Sequence, residues 1–289
     1  MINPVKHCAA FHDLSGFGRV SLGVVIPILT TMGIQVSCIP TAVLSTHTGY
    51  KDFRFLDLTP QMREFIQHWK DLEFSFENIY SGFLGSAEQI EIVAEFIDYF
   101  RKENQLVTVD PVMADNGELY PSFGPEIIPR MRELVGYADL ITPNITEAAF
   151  LLGEKMPVDM PDPMIKEWCM RLADLGPKTT VITSIPNKNR ALSSVVGYNK
   201  EMNRFWKVDC SYLPADYPGT GDVFTSVLDG SLMQGESLPI ALERAVQFVS
   251  LAIRSTFGYQ KSELEGVFIE KTLASLRSPL NLSTYQLME

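Results

Sequence analysis

Short apolar runs rich in β-branched residues alternate along this chain with longer amphipathic stretches, and this alternation constrains the fold more than any other feature. Repeated strand–helix alternation is typical of a mostly parallel sheet with helices on both faces. We therefore expect a three-layer α/β/α protein whose functional loops follow the carboxyl ends of the strands. The predicted strands are Val5–Phe11, Val36–Ile39, Ile79–Ser81, Leu106–Val109, Leu140–Thr142, Thr180–Thr183, Ala191–Val196 and Phe205–Val208.

Three amphipathic stretches predict long helices over Ser86–Glu103, Asp222–Met233 and Leu238–Ile253. Ser86 and Gln89 have the spacing of a capping box at the start of the first. No linker, repeat or low-complexity tract divides the sequence, and 289 residues can bury one large core. Residues 1–289 are therefore expected to form a single domain.

Charge and cysteine usage narrow the class of protein. The formal net charge of -11 argues against a general nucleic-acid or anionic-membrane surface. The start of the chain has no apolar core of signal-peptide length, and no apolar run is long enough to span a membrane. The cysteines are widely spaced, which favours reduced thiols in the cytoplasm and excludes a C-x-x-C zinc framework. They are Cys8, Cys38, Cys169 and Cys210.

The stretch HDLSGFGRVSLG follows the first predicted strand and contains a G-x-G-x-x-S pattern formed by Gly16, Gly18 and Ser21. A dinucleotide-binding fold requires an acidic residue about 20 positions further on, but no Asp or Glu occurs between Asp13 and Asp52. The sequence also lacks the Gly-Lys pair of a P-loop. These glycines are therefore expected to form a tight turn or to approach a different ligand.

A second glycine-rich stretch, YPGTGDVFTSVLDG, precedes an apolar helical run. The amides of Gly219, Thr220 and Gly221 are placed to face an anion at the N-terminus of this helix. Asp222 falls in the first helical turn. On this stretch alone, an ordinary glycine-rich turn with an Asp that complements the helix dipole is an equally good interpretation.

Five motifs in order resemble the pyridoxal kinases of the ribokinase superfamily: STHTGY (45–50), SGFLGS (81–86), VDPVMAD (109–115), ITPNITE (141–147) and GTGD (219–222). The resemblance extends from about residue 10 to residue 256. It implies a ribokinase-like fold and ATP-dependent phosphorylation of the 5′-hydroxyl of pyridoxal, pyridoxine or pyridoxamine, in vitamin B6 salvage. It also implies Mg²⁺, a monovalent cation (K⁺ or Na⁺) and a homodimer.

The resemblance assigns the chemistry to the GTGD motif. Phosphoryl transfer needs alignment, charge neutralisation and a proton acceptor. Asp222 resembles the family's catalytic base, which takes the proton of the substrate hydroxyl. The amides of Gly219, Thr220 and Gly221 would form the anion hole for the transferring phosphate.

Four further residues match family positions on the ATP side. Asp110 and Asp115 lie near the phosphates and their metal by resemblance, and Asp110 would be a Mg²⁺ ligand. A strand-end Asx turn is the structural alternative. Thr183 and Ser184, predicted to end a strand, match positions that contact ATP or the monovalent cation; a plain strand end explains them nearly as well.

Asn144 and Glu147 match the family's N-x-x-E element, in which Asn144 contacts ATP phosphates and Glu147 organises the metal-bound water. The same spacing is also that of a capping box, and both interpretations can hold together. Gln would complete such a box as well, so Glu147→Gln is expected to leave stability nearly unchanged.

The substrate side is expected in the first loop and in two later turns. Ser45, His47 and Thr48 match the family's substrate-side turn, although a lone histidine more commonly has a structural role. Phe83 takes the position of an aromatic residue that stacks on the substrate ring, with simple core packing as the alternative.

The first loop departs from the family's Ser-x-Val-x-x-Gly pattern, which leaves two candidates for the substrate contact. Asp13 aligns better by spacing and Ser15 is chemically closer, so the choice between them and the preferred vitamer stay open. Two other functions compete: the related hydroxymethylpyrimidine kinase of thiamine synthesis, against which STHTGY argues, and a non-catalytic binding protein of the same fold. The latter would be expected to have lost the base or the anion hole, and this sequence retains both.

Overall fold

A ten-stranded, mostly parallel sheet forms the centre of the protein in the computed structural model, which describes residues 4–157, 159–186, 192–211, 217–259, 262–278 and 284–288. The strands of this sheet are β1 His7–Ser15, β2 Gln35–Leu44, β3 Phe55–Asp57, β4 Asn78–Ser81, β5 Leu106–Val109, β8 Leu140–Ile141, β9 Thr179–Pro186, β10 Leu192–Asn199, β11 Arg204–Ser211 and β12 Gln286–Leu287. A separate hairpin pairs β6 Ala114–Asp115 with β7 Glu118–Leu119.

Helices cover both faces of the sheet. They are α1 Leu22–Thr31, α2 Thr59–Asp71, α3 Ala87–Phe100, α4 Ile127–Val135, α5 Ile145–Leu152, α6 Asp162–Ala173, α7 Thr220–Met233 and α8 Leu238–Thr256. Within the described residues, none of the helices is both long and apolar enough to cross a membrane.

The strand order is β12-β11-β10-β9-β8-β5-β4-β1-β2-β3. The six strands from β9 to β2 are parallel, whereas β3 at one edge and β10 to β12 at the other are antiparallel. The carboxyl ends of the parallel strands therefore open at one edge of the sheet. This arrangement brings the ends of β1, β4, β5 and β8 together where the candidate residues follow them.

Two hydrophobic cores lie on the two faces of the sheet, as the period of two in a strand requires. Along β1, Ala9 and Phe11 belong to one core and Cys8 and Ala10 to the other. The first core includes apolar residues of α2 to α6, and the second those of α1, α7 and α8. The predicted three-layer α/β/α class is confirmed.

All eight predicted strands are present, although several boundaries differ. The prediction ended β1 at Phe11, but β1 continues to Ser15 because Leu14 and Ser15 pair with Val43 and Leu44 of β2. Ala191, predicted to begin a strand, lies outside the described residues.

The capping box predicted at α3 is only half formed. Ser86 caps the helix through the Gln89 amide, as predicted. The Gln89 side chain, however, accepts a hydrogen bond from the Gly85 amide and donates to Thr41 O and Thr59 Oγ1. Gln89 is therefore used to join α3 to neighbouring segments instead of closing the box.

Candidate active site

Helix α7 begins without a side-chain cap. Its N-cap, Gly219, has φ 80°, and a Cβ there would lie 2.2 Å from the carbonyl oxygen of Arg19. Both facts require glycine. The amides of the first turn have no acceptor inside their own helix, and a Cβ built on Gly221 meets nothing within 4 Å. The N-terminus of α7 therefore presents backbone donors to open space, where the helix dipole favours an anion.

Asp222 is in the first turn of α7, as predicted, and its carboxylate contacts the first loop. Its Oδ2 accepts a hydrogen bond from the backbone amide of Ser21 at 2.9 Å, and Oδ1 lies 3.9 Å from His12 Nδ1. Burial raises the pKa of Asp222 to about 7; the charge of Asp13 adds to the shift, and the Ser21 hydrogen bond opposes it. A carboxyl with a pKa near neutrality is suited to accepting and releasing a proton at physiological pH.

Ser21 joins the first loop to Asp222. Its backbone amide binds Asp222, while its hydroxyl donates to Asp13 Oδ1 in a short hydrogen bond. Ser15 donates to the other oxygen of Asp13 at 3.0 Å. Ser21 has φ 48° and ψ −133°, a conformation that favours glycine and is found in strained functional segments. The two candidates of the first loop, Asp13 and Ser15, are thus hydrogen-bonded to each other and linked to the α7 site.

Asp110 follows β5 and is buried beside α7. Its Oδ2 lies 3.2 Å from the hydroxyl of Thr225, which is also 3.0 Å from the Thr142 hydroxyl. Burial and, after it, the charge of Asp222 raise the pKa of Asp110 to about 7, against the opposing effect of the two threonine hydroxyls. Asp110 and Asp222 therefore form a pair of electrostatically interacting carboxyl groups.

Asn144 and Glu147 form a complete capping box at α5. Asn144 Oδ1 accepts from the Glu147 amide, and Glu147 Oε2 accepts from the Asn144 amide, both at 2.9 Å. Glu147 Oε1 accepts in addition from Met113 N at 3.1 Å and from Ala114 N at 3.5 Å. Burial raises the pKa of Glu147, and the charge of Asp110 raises it further. The capping interpretation is therefore confirmed, and the same residue interacts electrostatically with Asp110.

Asp115 lies apart from the buried carboxylates, exposed on the β6–β7 hairpin, where its Oδ1 accepts from the Asn116 amide at 2.8 Å. Thr183 and Ser184 do not end their strand, and that prediction is wrong. Ser184 has φ 57°, and the pairing of β9 with β10 is irregular there, so β9 bends and continues to Pro186. Thr183 still forms a parallel bridge to Asn144, next to α5.

The predicted substrate-side turn packs against the first loop. A Cβ on Gly18 would lie 2.7 Å from His47 Cδ2. The His47 ring is held on both sides by backbone: Nε2 lies 2.6 Å from Leu264 O, and Nδ1 accepts from the Gly49 amide at 3.1 Å. Ser45 Oγ accepts from the Arg54 amide at 2.8 Å, and Thr48 is exposed. The structural role expected of a lone histidine accounts for both nitrogens of His47.

Phe83 follows β4 and is half-buried. Its ring packs against that of Phe123, with the centroids 5.5 Å apart at 33°. It belongs to neither of the two main cores. One face of this aromatic pair is therefore a candidate platform for a flat ligand.

Four residues near this site were not predicted from sequence as functional: Tyr120, His12, Ser21 and Thr225. The phenol of Tyr120 has a raised pKa, first through burial and then through the charges of four carboxylates. These are Glu147, Asp115, Asp222 and Asp110. Tyr120 therefore lies within electrostatic reach of these carboxylates. Ser21 lies in the G-x-G-x-x-S pattern of the first loop, but the pattern gives no sign of its contact with Asp222, which is distant in the sequence.

Comparison with known proteins places this site in a family. Residues 30–265 match the family described as phosphomethylpyrimidine kinase. The pyridoxal kinase of Arabidopsis thaliana is 32% identical over 238 residues, covering 79% of this chain and 75% of that protein.

Two crystal structures share the fold over almost the whole chain. A protein of Bacteroides thetaiotaomicron, assigned provisionally as a phosphomethylpyrimidine kinase and crystallised with pyridoxal, is 53% identical with a TM-score of 0.96, covering 98% of this chain and 100% of that one. Pyridoxal kinase from Lactobacillus plantarum is 29% identical with a TM-score of 0.86, covering 94% and 96%. The chain is therefore a kinase of the phosphomethylpyrimidine kinase family and belongs to the pyridoxal kinases of the ribokinase superfamily.

Proposed function

We propose that this kinase transfers the γ-phosphoryl group of ATP to the 5′-hydroxyl of pyridoxal, pyridoxine or pyridoxamine, in vitamin B6 salvage. The observation that carries the proposal is the position of Asp222, a largely buried carboxyl with a pKa of about 7 beside the uncapped N-terminus of α7. The hydroxyl oxygen forms a bond to the γ-phosphorus while the bond from phosphorus to the β–γ bridging oxygen breaks. ADP leaves, and the hydroxyl proton passes to Asp222.

The first turn of α7 is the proposed anion hole. The amides of Gly219, Thr220 and Gly221 would donate to the oxygens of the transferring phosphoryl group, where negative charge must be stabilised. These donors belong to the backbone of a helix packed into the core, so they need no rearrangement during the reaction. The hydroxyl of Tyr120, among the same carboxylates, would add a further donor on the phosphate side.

The acidic residues beside α7 fit a magnesium ion. Mg²⁺ is usually held by one or two carboxylates together with substrate phosphates and waters, and Asp110 and Glu147 supply two neighbouring carboxylates. Asp110 would hold the ion directly. Glu147, whose oxygens already accept backbone amides, would orient its water. When bound, the ion neutralises charge on the phosphates.

The remaining assignments follow the layout of the site. Asp115, Asn144, Thr183 and Ser184 would line the ATP phosphates, with the monovalent cation (K⁺ or Na⁺) next to the last two. On the vitamer side, we assign the ring contacts to Phe83 and Thr48, near the turn that contains Ser45 and His47. In the first loop, Asp13 and Ser15 would share the polar contact, since they are hydrogen-bonded to each other.

We also propose that the protein is a homodimer of the cytoplasm. Leu14, Val43 and Leu56 form a row across β1, β2 and β3, and each is exposed, by 40%, 37% and 60%. Such an apolar row beside a sheet edge is suited to contact a second copy of the chain. Cys8, Cys38, Cys169 and Cys210 are unpaired, which supports a reducing compartment.

The alternative substrate is hydroxymethylpyrimidine, the unphosphorylated alcohol related to the phosphomethylpyrimidine that the matched family is named for. The test is ADP release with MgATP and one alcohol at a time: pyridoxal, pyridoxine, pyridoxamine or hydroxymethylpyrimidine. We expect release with the vitamers and none with 5′-deoxypyridoxal, which lacks the acceptor hydroxyl. ADP release with the pyrimidine alone would replace the proposed substrate. Release at equal rates with 5′-deoxypyridoxal would show that ATP is merely hydrolysed.

A further inference from the structure

His12 is a buried polar residue to which the mechanism above gives no role. It lies on β1, one residue before Asp13, and is 0% exposed. Its ring meets the ring of Tyr80 edge to face, with the centroids 4.5 Å apart. Gly82 leaves room for it, because a Cβ at that position would lie 2.3 Å from His12 Nδ1. The surrounding segments therefore hold the imidazole in one place.

The two nitrogens of this imidazole are not used by the fold. Among the residues that the structure describes, neither Nδ1 nor Nε2 has a hydrogen-bond partner. A buried polar group without a partner is costly, and in native proteins it usually has a functional explanation. Burial also lowers the pKa of His12 to about 3, so the ring is neutral at physiological pH. A neutral imidazole donates from one nitrogen and accepts at the other.

Asp222 is the group that this imidazole faces. His12 Nδ1 lies 3.9 Å from Oδ1 of Asp222, whereas Oδ2 is already held by the Ser21 amide. A shift of about 1 Å would bring Nδ1 and Oδ1 to hydrogen-bond distance, and such bonds commonly tighten when substrate binds. Nε2 has no hydrogen-bond partner among the described residues, so no contact at Nε2 fixes the tautomer of the ring. The proton can therefore reside on Nδ1.

We propose that His12 is a positioning residue for Asp222: its Nδ1–H donates to Oδ1 in the substrate complex and, together with the Ser21 amide on Oδ2, fixes the plane of the carboxylate against the substrate hydroxyl. This inference rests on the proposed role of Asp222 as the base. Each carboxylate oxygen retains a second lone pair, so the proton of the hydroxyl can still be accepted. A neutral donor orients the base without adding the positive charge that would weaken it.

Three variants of His12 separate this role from packing. Phe preserves the ring but has no polar atom; Asn places its amide near the position of Nδ1; Gln reaches the position of Nε2. Loss of a hydrogen bond to a charged group predicts a fall in kcat of about 10- to 100-fold for His12→Phe. We expect KM for the vitamer and for MgATP to stay within about twofold, since the interaction acts on the reacting geometry. His12→Asn should recover most of kcat, and His12→Gln should not.

A double variant tests whether His12 acts through Asp222. In the Asp222→Asn background, His12→Phe should cause little further loss of kcat, because the base it positions is already absent. Multiplicative losses, equal activity of the Asn and Gln variants, or an unchanged kcat in His12→Phe would each overturn the role of His12. If His12→Phe does not fold, the comparison of Asn with Gln decides. If the wild-type protein shows no vitamer-dependent turnover, both the proposed function and this inference are overturned. If the wild type turns over normally and any of the three variant results named above is observed, only the inference about His12 is overturned.

Discussion

Helices α5 and α7 both begin at the functional edge of the sheet and both carry an acidic residue three positions after the N-cap, yet the two termini differ in chemistry. At α5, the Asn144 side chain and Glu147 close the terminus by hydrogen bonds to each other's amides. At α7, the N-cap is Gly219, which has no side chain, and Asp222 reaches across to the Ser21 amide. The side chains at the start of α5 hydrogen-bond to the backbone amides of that terminus, whereas the amides at the start of α7 are left to bind a ligand.

The difference shows what an acidic residue in the first turn can be used for. Glu147 has a side chain long enough to reach back to its N-cap amide, so its main effect is on the local fold. Asp222 is shorter and is held by a residue about two hundred positions away in the sequence. Its carboxylate is thus fixed by tertiary structure and stays beside the open amides of α7.

The largest effect is expected for Asp222→Asn. Asn is nearly isosteric and can still accept the Ser21 amide, but it cannot take the proton of the substrate hydroxyl. General-base contributions are about 10²–10⁴-fold, so kcat should fall by that factor while ATP binding persists. The measurement is single-turnover phosphorylation of pyridoxal, with the melting temperature as the control for folding. Turnover near the wild-type value in a folded variant would remove Asp222 as the base.

The same substitution predicts a pH-dependent change in stability. The pKa of Asp222 in the folded protein is about 7, above the usual value of 3.8, so the folded state holds the proton more tightly than the unfolded state. This carboxyl therefore contributes stability that is fully present below pH ~4 and is lost as the pH rises through ~7. At about 1.4 kcal/mol per pKa unit, Asp222→Asn should be more stable than wild type by roughly 4 kcal/mol at pH 8, with no gain near pH 4.

The control for this measurement is Glu88→Gln, which removes an exposed acid from the first turn of α3. An exposed acid in this position interacts favourably with the helix dipole, so the free energy of unfolding of this variant should fall by a few tenths of a kcal/mol at pH 8. Denaturant unfolding at a series of pH values, without Mg²⁺ or ATP, gives both free energies. A loss of stability in Asp222→Asn at pH 8 would mean that Asp222 acts as an ordinary dipole-complementing residue.

Glu147→Gln is expected to destabilise the protein, in contrast to the expectation from sequence that its stability would be nearly unchanged. Spacing alone suggests that Gln would complete the capping box equally well. In the structure, however, both oxygens of Glu147 accept backbone amides, from Asn144 on one side and from Met113 and Ala114 on the other. One of these donors would face the Gln amino group, so we expect a loss of about 1–3 kcal/mol in the free energy of unfolding. The magnesium concentration at half-maximal rate should also rise.

Gln89 of α3 shows why Gln is accepted at one capping position and not at the other. Its amino group donates to Thr41 O and to Thr59 Oγ1, acceptors for which α5 has no counterpart around Glu147. The matched control is therefore Gln89→Glu, which should also destabilise the protein, for the opposite reason. Unchanged stability and unchanged magnesium dependence in Glu147→Gln would show that its carboxylate is not needed in either role.

Local patterns in the sequence predict the parallel sheet. The acidic residues Asp222, Asp110 and Glu147 are selected by the resemblance of their motifs to the pyridoxal kinases, since local patterns alone are explained equally by turns and helix caps. The edge strand β3 was missed because all three of its residues are exposed, so it has no alternation of buried and exposed positions. The type of an element can thus be predicted from sequence where one of its faces is buried.

The residues that orient the chemistry could not be predicted in this way. Ser21 contacts Asp222 across 201 positions of sequence, and Nδ1 of His12 on β1 lies 3.9 Å from Oδ1 of Asp222 on α7. Neither contact leaves a local pattern, since it depends on how β1 and α7 pack. The positive φ of Ser184 is likewise set by the irregular pairing of β9 with β10. Tertiary packing therefore decides these positions.

The smallest effect on stability, and the sharpest test of the open terminus, is expected for Gly221→Ala. Gly221 is the second residue of α7, and an added Cβ meets nothing within 4 Å. Ala should therefore stabilise the helix by about 0.4–1 kcal/mol, by restricting the unfolded chain. The new methyl group would, however, occupy the space in front of the first-turn amides, where the phosphate is proposed to bind. We expect KM for MgATP to rise although the protein is more stable.

Gly23→Ala is the matched control, because Gly23 is the second residue of α1 and its added Cβ would come no closer than 3.7 Å to Gly18 O. It should give a similar gain in stability with KM for MgATP unchanged. Gly219→Ala should instead destabilise the protein, because φ 80° and the 2.2 Å approach to Arg19 O both oppose a side chain. Comparing Gly219→Ala with Gly221→Ala then separates two reasons for glycine at α7. Gly219 is needed for the backbone conformation, and Gly221 is needed to leave space for the ligand. If Gly221→Ala binds MgATP as tightly as Gly23→Ala does, the space in front of α7 is not where the phosphate lies, and the contrast with α5 would be one of backbone geometry alone.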